Sequence, residues 1–223
     1  MRLLLASARV VAAGQALAAG GIYDANAPML AALVGRDGGA VIDLRPIGRA
    51  RTEVREALRD ALDADIVMVA GGTGPGRDDH AATALAEAGA LTLHGVALQP
   101  GTTLGAGHIG RVPVFLLPGP PVHCLWAYEL VAGRAIRLLA GHRPELPYAM
   151  ATLRLARKIV SEVGTVEVCP VRRVGAGAGE VEPMPSLQEA GLAAAAHADG
   201  FILVPETSEG YPQGAAVAVY LRR

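Results

Sequence analysis

The run Asp65-Ile66-Val67-Met68-Val69-Ala70 passes directly into Gly71-Gly72-Thr73-Gly74-Pro75-Gly76-Arg77-Asp78-Asp79-His80, and no other junction limits the fold as strongly. An apolar, β-branched hexamer bounded by glycines reads as a buried strand. Asp79 to Ala88 reads as a helix stopped by Gly89. A buried strand, a glycine turn and a helix make half of a βαβ unit, which calls for a parallel sheet with helices packed on it. The four glycines allow close backbone approach to a ligand, and the N–H groups opening a helix favour anions. The loop therefore suits a phosphate, with a carboxylate of Asp78 or Asp79 left for metal or acid–base work. The plainer alternative is a strand-to-helix turn in which one of these aspartates caps the helix. The loop lacks the ending of a P-loop and is not a dinucleotide fingerprint.

The N-terminal part repeats this alternation. Residues 2–10 read as a first buried strand rather than a signal peptide, because Arg9 interrupts the apolar run. Asn26 to Arg36 carries Met29, Leu30, Leu33 and Val34 at helical spacing, with Pro28 near the start, where proline is tolerated. Residues 40–44 read as a strand, and Thr52 to Leu62 as an amphipathic helix with Val54, Leu58 and Leu62 on one face. Then follow a strand at 91–98, a hairpin at 103–118 turning near Gly110, and a long helix from Pro121 to Leu139. This pattern predicts an α/β fold with helices on both faces of a parallel sheet and ligands beyond the carboxyl ends of its strands. Residues 142–148 contain two prolines and lead into a strand-rich segment, so the division expected is 1–147 and 148–223.

Hydrophobic residues make up 52% of the chain but aromatics only 4%, which favours close packing of small side chains. Twenty basic and 21 acidic residues give a net charge of −1, so no footprint for nucleic acid or an anionic membrane is present. No stretch reaches the roughly 18 apolar residues needed to span a bilayer. Cys124 and Cys169 lie far apart and outside any zinc-ligand spacing, which predicts free buried thiols in a reducing, cytoplasmic compartment.

Three further segments carry glycine and proline at element ends. Gly20-Gly21-Ile22-Tyr23-Asp24-Ala25-Asn26-Ala27-Pro28 opens the first helix, Gln99-Pro100-Gly101 ends a strand, and Leu117-Pro118-Gly119-Pro120-Pro121-Val122 opens the long helix. With the glycine loop, this constellation resembles the molybdopterin molybdotransferase family, which includes the gephyrin E domain. That family shows an IYDxN segment, a GGVSxGxxD loop, a KPGKP segment and an LPGNPV turn in the same order. The tail from 151 to 223, notably the ADGFILVPE string, resembles the family's C-terminal β-barrel. The resemblance spans essentially all 223 residues, and the family's N-terminal dimerisation domains have no counterpart among them.

The resemblance implies a three-layer α/β/α molybdopterin-binding domain followed by a small β-barrel. It implies molybdopterin or its adenylylated form as ligand, molybdate as the inserted species, Mg²⁺ as cofactor, and a homodimer or partner chain. Carried over by position, Asp79 implies the metal and catalytic carboxylate, with Asp78 beside it. Asp24, Asn26, Gly71, Gly72, Thr73, Gly74, Gly76, Pro100, Gly101, Pro118, Gly119 and Pro121 imply the ligand contacts. The departures are specific. Where the family reads TGDEL, this chain reads Ala6-Ser7-Ala8-Arg9-Val10; the two KPGKP lysines are Gln99 and Thr102; the PGNP asparagine is Pro120; Arg77 stands where an acidic residue is frequent. These losses predict weak or absent molybdate insertion by the chain alone and keep a non-catalytic pterin carrier or accessory module as the rival. The Gly71–Asp79 string also fits the competence-damage protein family, a nucleotide-binding alternative, whereas the C-terminal segment fits it poorly.

Overall fold

Alternation along the first strand decides the layering. In a computed structural model that describes residues 1–7, 10–175 and 179–222, Arg2–Ala6 is a strand with Leu3 and Leu5 on one face and Leu4 and Ala6 on the other. Leu3 and Leu5 join Met68, Phe115 and Leu117 under the helices Asn26–Arg36 and Pro121–Ala127. Leu4 and Ala6 join Val67, Val69, Val114 and Leu116 under Arg51–Arg59 and Ala81–Ala88. Successive side chains of a strand point to opposite faces, so both faces are apolar and both are covered by helices. Each fully buried leucine or valine contributes about 1.5–3 kcal/mol, and these two clusters hold the first unit together.

The sheet has six strands in the order Asp43–Ile47, Arg2–Ala6, Val67–Ala70, Val112–Leu117, Gly105–Ile109 and Ala90–His94. The first four run parallel, and Gly105–Ile109 runs antiparallel to both of its neighbours, Val112–Leu117 and Ala90–His94. The chain order reverses between Arg2–Ala6 and Val67–Ala70, and the helices that follow these two strands lie on opposite faces. Such a switch point leaves a crevice at the carboxyl ends of the strands.

The chain divides into two compact units, Met1–Val96 with Gly101–Glu145, and Ala97–Pro100 with Leu146–Arg223. The second unit is a closed barrel in which Glu180–Pro183, Ala149–Leu155, Ala216–Leu221, Gly200–Val204 and Val166–Val174 pair in a ring. Closure leaves no unpaired edge among these strands. Leu155, Val171, Val181, Ile202, Val204 and Val219 fill it.

The structure departs from the sequence reading at several boundaries. The strand expected at 40–44 lies at Asp43–Ile47. The strand expected at 91–98 breaks at Gly95, whose φ is +87°, and Leu98–Gln99 pairs instead with Val166–Glu167 of the second unit. The long helix contains a π-helical turn at Tyr128–Ala132. Ala81, not Asp79, begins the helix after the glycine loop, and no side chain caps it. Both cysteines are free and buried, and burial pushes their thiols up. Among the described residues no helix is long and apolar enough to cross a membrane.

Candidate functional site

Four parallel strands deliver four connections to one rim. Ile47 is followed by Gly48-Arg49, Ala6 by Ser7, Ala70 by Gly71-Gly72-Thr73-Gly74, and Leu117 by Pro118-Gly119-Pro120. Of these, Ala6, Ser7, Arg49, Ala70 to Gly74 and Pro118 to Pro120, with Asp24, Asn26, Asp79, Thr102, Thr103 and His123, line a cleft of about 460 Å³ in the first unit. That volume is within the usual range for small-molecule sites.

The glycine loop is shaped by contacts that a side chain would break. Gly71 has φ +95°, its N–H donates to the Leu117 carbonyl at 2.9 Å, and a Cβ there would lie 2.7 Å from the Ala6 carbonyl oxygen. A Cβ on Gly74 would lie 2.7 Å from Asp79 Oδ2. That oxygen accepts the Gly76 N–H at 3.1 Å, so Asp79 ties the loop onto itself rather than capping the helix. The other oxygen, Oδ1, accepts from Arg49 Nη2 at 3.2 Å. Across the cleft, the Thr73 and Thr103 hydroxyls are hydrogen bonded at 2.9 Å, and His94 Nε2 is 2.9 Å from the Thr73 carbonyl.

Asp24 is occupied by the helix it precedes. Its Oδ1 accepts the Asn26 and Ala27 N–H groups at 2.9 and 3.0 Å, which satisfies two orphan donors of the first turn. Asn26 Nδ2 donates to the Gly119 carbonyl at 2.8 Å. The amide must then turn its Oδ1 elsewhere, and that atom is buried without a protein partner. Burial lowers the pKa of His123, which favours its neutral form in the cleft.

Of the residues expected from the sequence, the cleft gathers Asp24, Asn26, Gly71, Gly72, Thr73, Gly74, Asp79, Pro118 and Gly119. Asp78 is exposed and, with Gly76, Gly101 and Pro121, does not line it. Pro100 lines a different cavity, within the second unit, together with Gln99, Ser161 and Glu167. Arg9 lies outside the described residues. Sequence reasoning missed Arg49 and Thr103 and gave His123 little weight as a base among the scattered histidines. Arg49 could have been found only with the neighbouring strand in register, because its place depends on Ile47 pairing with Ala6 and on the Ala50 N–H donating to Glu53 at 3.0 Å.

Magnesium usually needs several oxygen ligands in near-octahedral geometry. Among the described residues no group of three or more His, Cys, Asp or Glu side chains is placed to hold a metal ion. Both Asp79 oxygens are engaged by donors, and Asp24 Oδ1 is taken by two amides of the helix it precedes. The donor set does not fit the magnesium that the resemblance implies.

Comparison with known proteins identifies the family. Residues 9–138 match the family described as "Probable molybdopterin binding domain", and residues 152–221 match the MoeA C-terminal region, domain IV. The chain is 31% identical over 209 residues to molybdopterin molybdenumtransferase 1 of Mycobacterium tuberculosis, covering 90% of this chain and 49% of that one. A structure of the molybdopterin biosynthesis MoeA protein from Pyrococcus horikoshii superposes with a TM-score of 0.81 at 28% identity, over 99% of this chain and 53% of the other. A CinA-like protein of Chlorobium phaeobacteroides is 38% identical, but over 78 residues, 34% of this chain and 18% of its own length. The chain thus spans about half the length of the molybdenumtransferase and MoeA proteins it matches. With its N-terminal unit matching the one model and its barrel the other, this chain belongs to the molybdopterin-binding family of molybdenum cofactor biosynthesis, in the MoeA-like branch that carries domain IV.

Proposed function

We propose that the chain binds molybdopterin, or its adenylylated form, in the strand-end cleft and serves the molybdate-insertion step of molybdenum cofactor biosynthesis. The observation that carries the reading is Asn26. Its Nδ2 is fixed on the Gly119 carbonyl, which leaves Oδ1 as a buried, unpartnered acceptor on an Asn26 that lines the cleft. An unsatisfied buried acceptor is costly, about 1–3 kcal/mol, and the N–H edge of a pterin ring is the kind of donor that would relieve it. Backbone at Gly71–Gly74 and Gly119 lets a flat ligand approach without side-chain interference. Asp79 holds the loop in shape, and neutral His123 adds no charge at neutral pH. No step is assigned to magnesium.

Titration of molybdopterin into the wild-type chain and into Gly74→Val under anaerobic conditions tests the placement. Valine at 74 drives the Asp79 carboxylate off the Gly76 N–H, so affinity falls; equal affinities contradict the reading. A second reading, a pterin carrier without turnover, is favoured by the engagement of both Asp79 oxygens and by the lack of a ligand cluster for a metal. An insertion assay with adenylylated molybdopterin and molybdate separates the two. Pairing with a second copy or another chain belongs to the same proposal. It is supported by the exposed apolar side chains Ile42, Leu138 and Leu139, and light scattering decides it.

A further inference from the structure

Charge is scarce in the cleft, and its distribution is unusual for a site meant to hold a phosphate. Asp24 and Asp79 are the acids, and Arg49 is the only lysine or arginine among the described residues that line it. The amides opening the Asn26–Arg36 helix are taken by Asp24, and the first amide of the Ala81–Ala88 helix donates to the Gly72 carbonyl at 2.9 Å. Those three backbone donors are therefore used within the fold. Arg49 is different. Its Nη2 is committed to Asp79 Oδ1 at 3.2 Å, while its Nε is buried with no protein partner. A planar guanidinium anchored at one corner and unsatisfied at another is preorganised for an oxyanion.

We propose that Arg49 stands where a divalent metal would otherwise bridge Asp79 and the ligand, so that this site holds its phosphate through a guanidinium and needs no magnesium. The inference rests on the molybdopterin-binding reading and refines it. A cation approaching Asp79 must first displace a guanidinium of like charge from the same carboxylate oxygen, and among the described residues no group of three His, Cys, Asp or Glu side chains is placed to complete a coordination shell. A phosphomonoester approaching Arg49 meets the opposite situation. It finds a guanidinium that lines the cleft and is 39% exposed, and it leaves the Asp79 contact to the Gly76 amide intact. Asp79 then holds the loop through the Gly76 amide while the Arg49 guanidinium contacts the ligand.

Two measurements on the full chain test this. The first is anaerobic calorimetric titration of molybdopterin with excess EDTA and, separately, with excess Mg²⁺. The dissociation constant is expected to agree between the two conditions. Arg49→Gln is expected to weaken binding about ten- to a hundredfold in both, the scale of a lost charged hydrogen bond, with an unchanged thermal midpoint. A requirement for Mg²⁺, or wild-type affinity in Arg49→Gln, overturns the inference. The second uses no pterin: Mn²⁺ binding is followed by electron paramagnetic resonance. Wild type is expected to bind no Mn²⁺ at this site, and Arg49→Asp, which sets a second carboxylate beside Asp79, to gain binding. Wild type and Arg49→Asp behaving alike overturns the inference. A wild-type chain that binds no molybdopterin overturns the functional reading and the phosphate role of Arg49 together, while the Mn²⁺ result still judges the displacement of the metal.

Discussion

Gly71→Ala is the substitution whose cost can be worked most directly from the structure. Gly71 has φ +95°, and alanine in left-handed backbone costs about 1–2 kcal/mol. Its Cβ would also sit 2.7 Å from the Ala6 carbonyl oxygen, a backbone atom at the end of the first strand. Relieving that contact means shifting a strand packed on both faces, which adds about 1–3 kcal/mol. The sum is about 2–5 kcal/mol. Gly110 supplies the control, since it has φ +57° in the hairpin turn and nothing within 4 Å of its Cβ position. Gly110→Ala should therefore cost only the conformational part, about 1–2 kcal/mol. For a unit of this size each kcal/mol lowers the midpoint by about 2–4 °C, so calorimetry should resolve the two variants. Because the chain has two units, the transition of the first must be followed separately, with Trp126 as its reporter. Equal losses for Gly71→Ala and Gly110→Ala would refute the close approach between Gly71 and the first strand, and with it the shape assigned to the cleft.

Other expectations follow from the same contacts. Asn26→Ala should weaken molybdopterin binding about five- to thirtyfold by removing both the acceptor and the hold on Gly119, which the same titration reads. Asp37 is 1% exposed and accepts from Tyr128, Arg36 and Arg137 at 2.8–3.0 Å. Asp37→Ala should therefore cost about 3–5 kcal/mol in denaturant unfolding, as expected for a stranded buried cation. His123 has a folded pKa below its ordinary 6.5, so its contribution to stability is complete above 6.5 and is lost as pH falls through the folded value. His123→Gln should flatten that part of the stability–pH curve.

Much of the first unit was legible because its signals are local. The helical spacing of Leu30, Leu33 and Val34, and the passage from an apolar run into Gly71-Gly72, depend only on neighbours in the chain. The errors arose where distant partners decide. Asp43–Ile47 was placed three residues early because its exposed side chains give no alternation of apolar and polar residues, and that shift hid Arg49. Leu98–Gln99 read as the end of one long strand, yet its pairing partner is Val166–Glu167, almost 70 residues on. Glu129, within the helix expected from Pro121 to Leu139, is buried. It lies in the π-helical turn and accepts from Arg36, 93 residues away, at 2.7 Å. Asp79 was expected to be a metal and catalytic carboxylate; its engagement by Arg49, 30 residues away, could not be read from spacing.

Hydrogen–deuterium exchange of the whole chain, with and without molybdopterin under anaerobic conditions, tests the central claim most directly. If the strand-end cleft is the pterin site, ligand should slow exchange at the amides of Gly72–Gly74 and Gly119 and leave the barrel residues 149–221 unchanged. Unaltered exchange at those glycines, or protection confined to the barrel, would contradict the account.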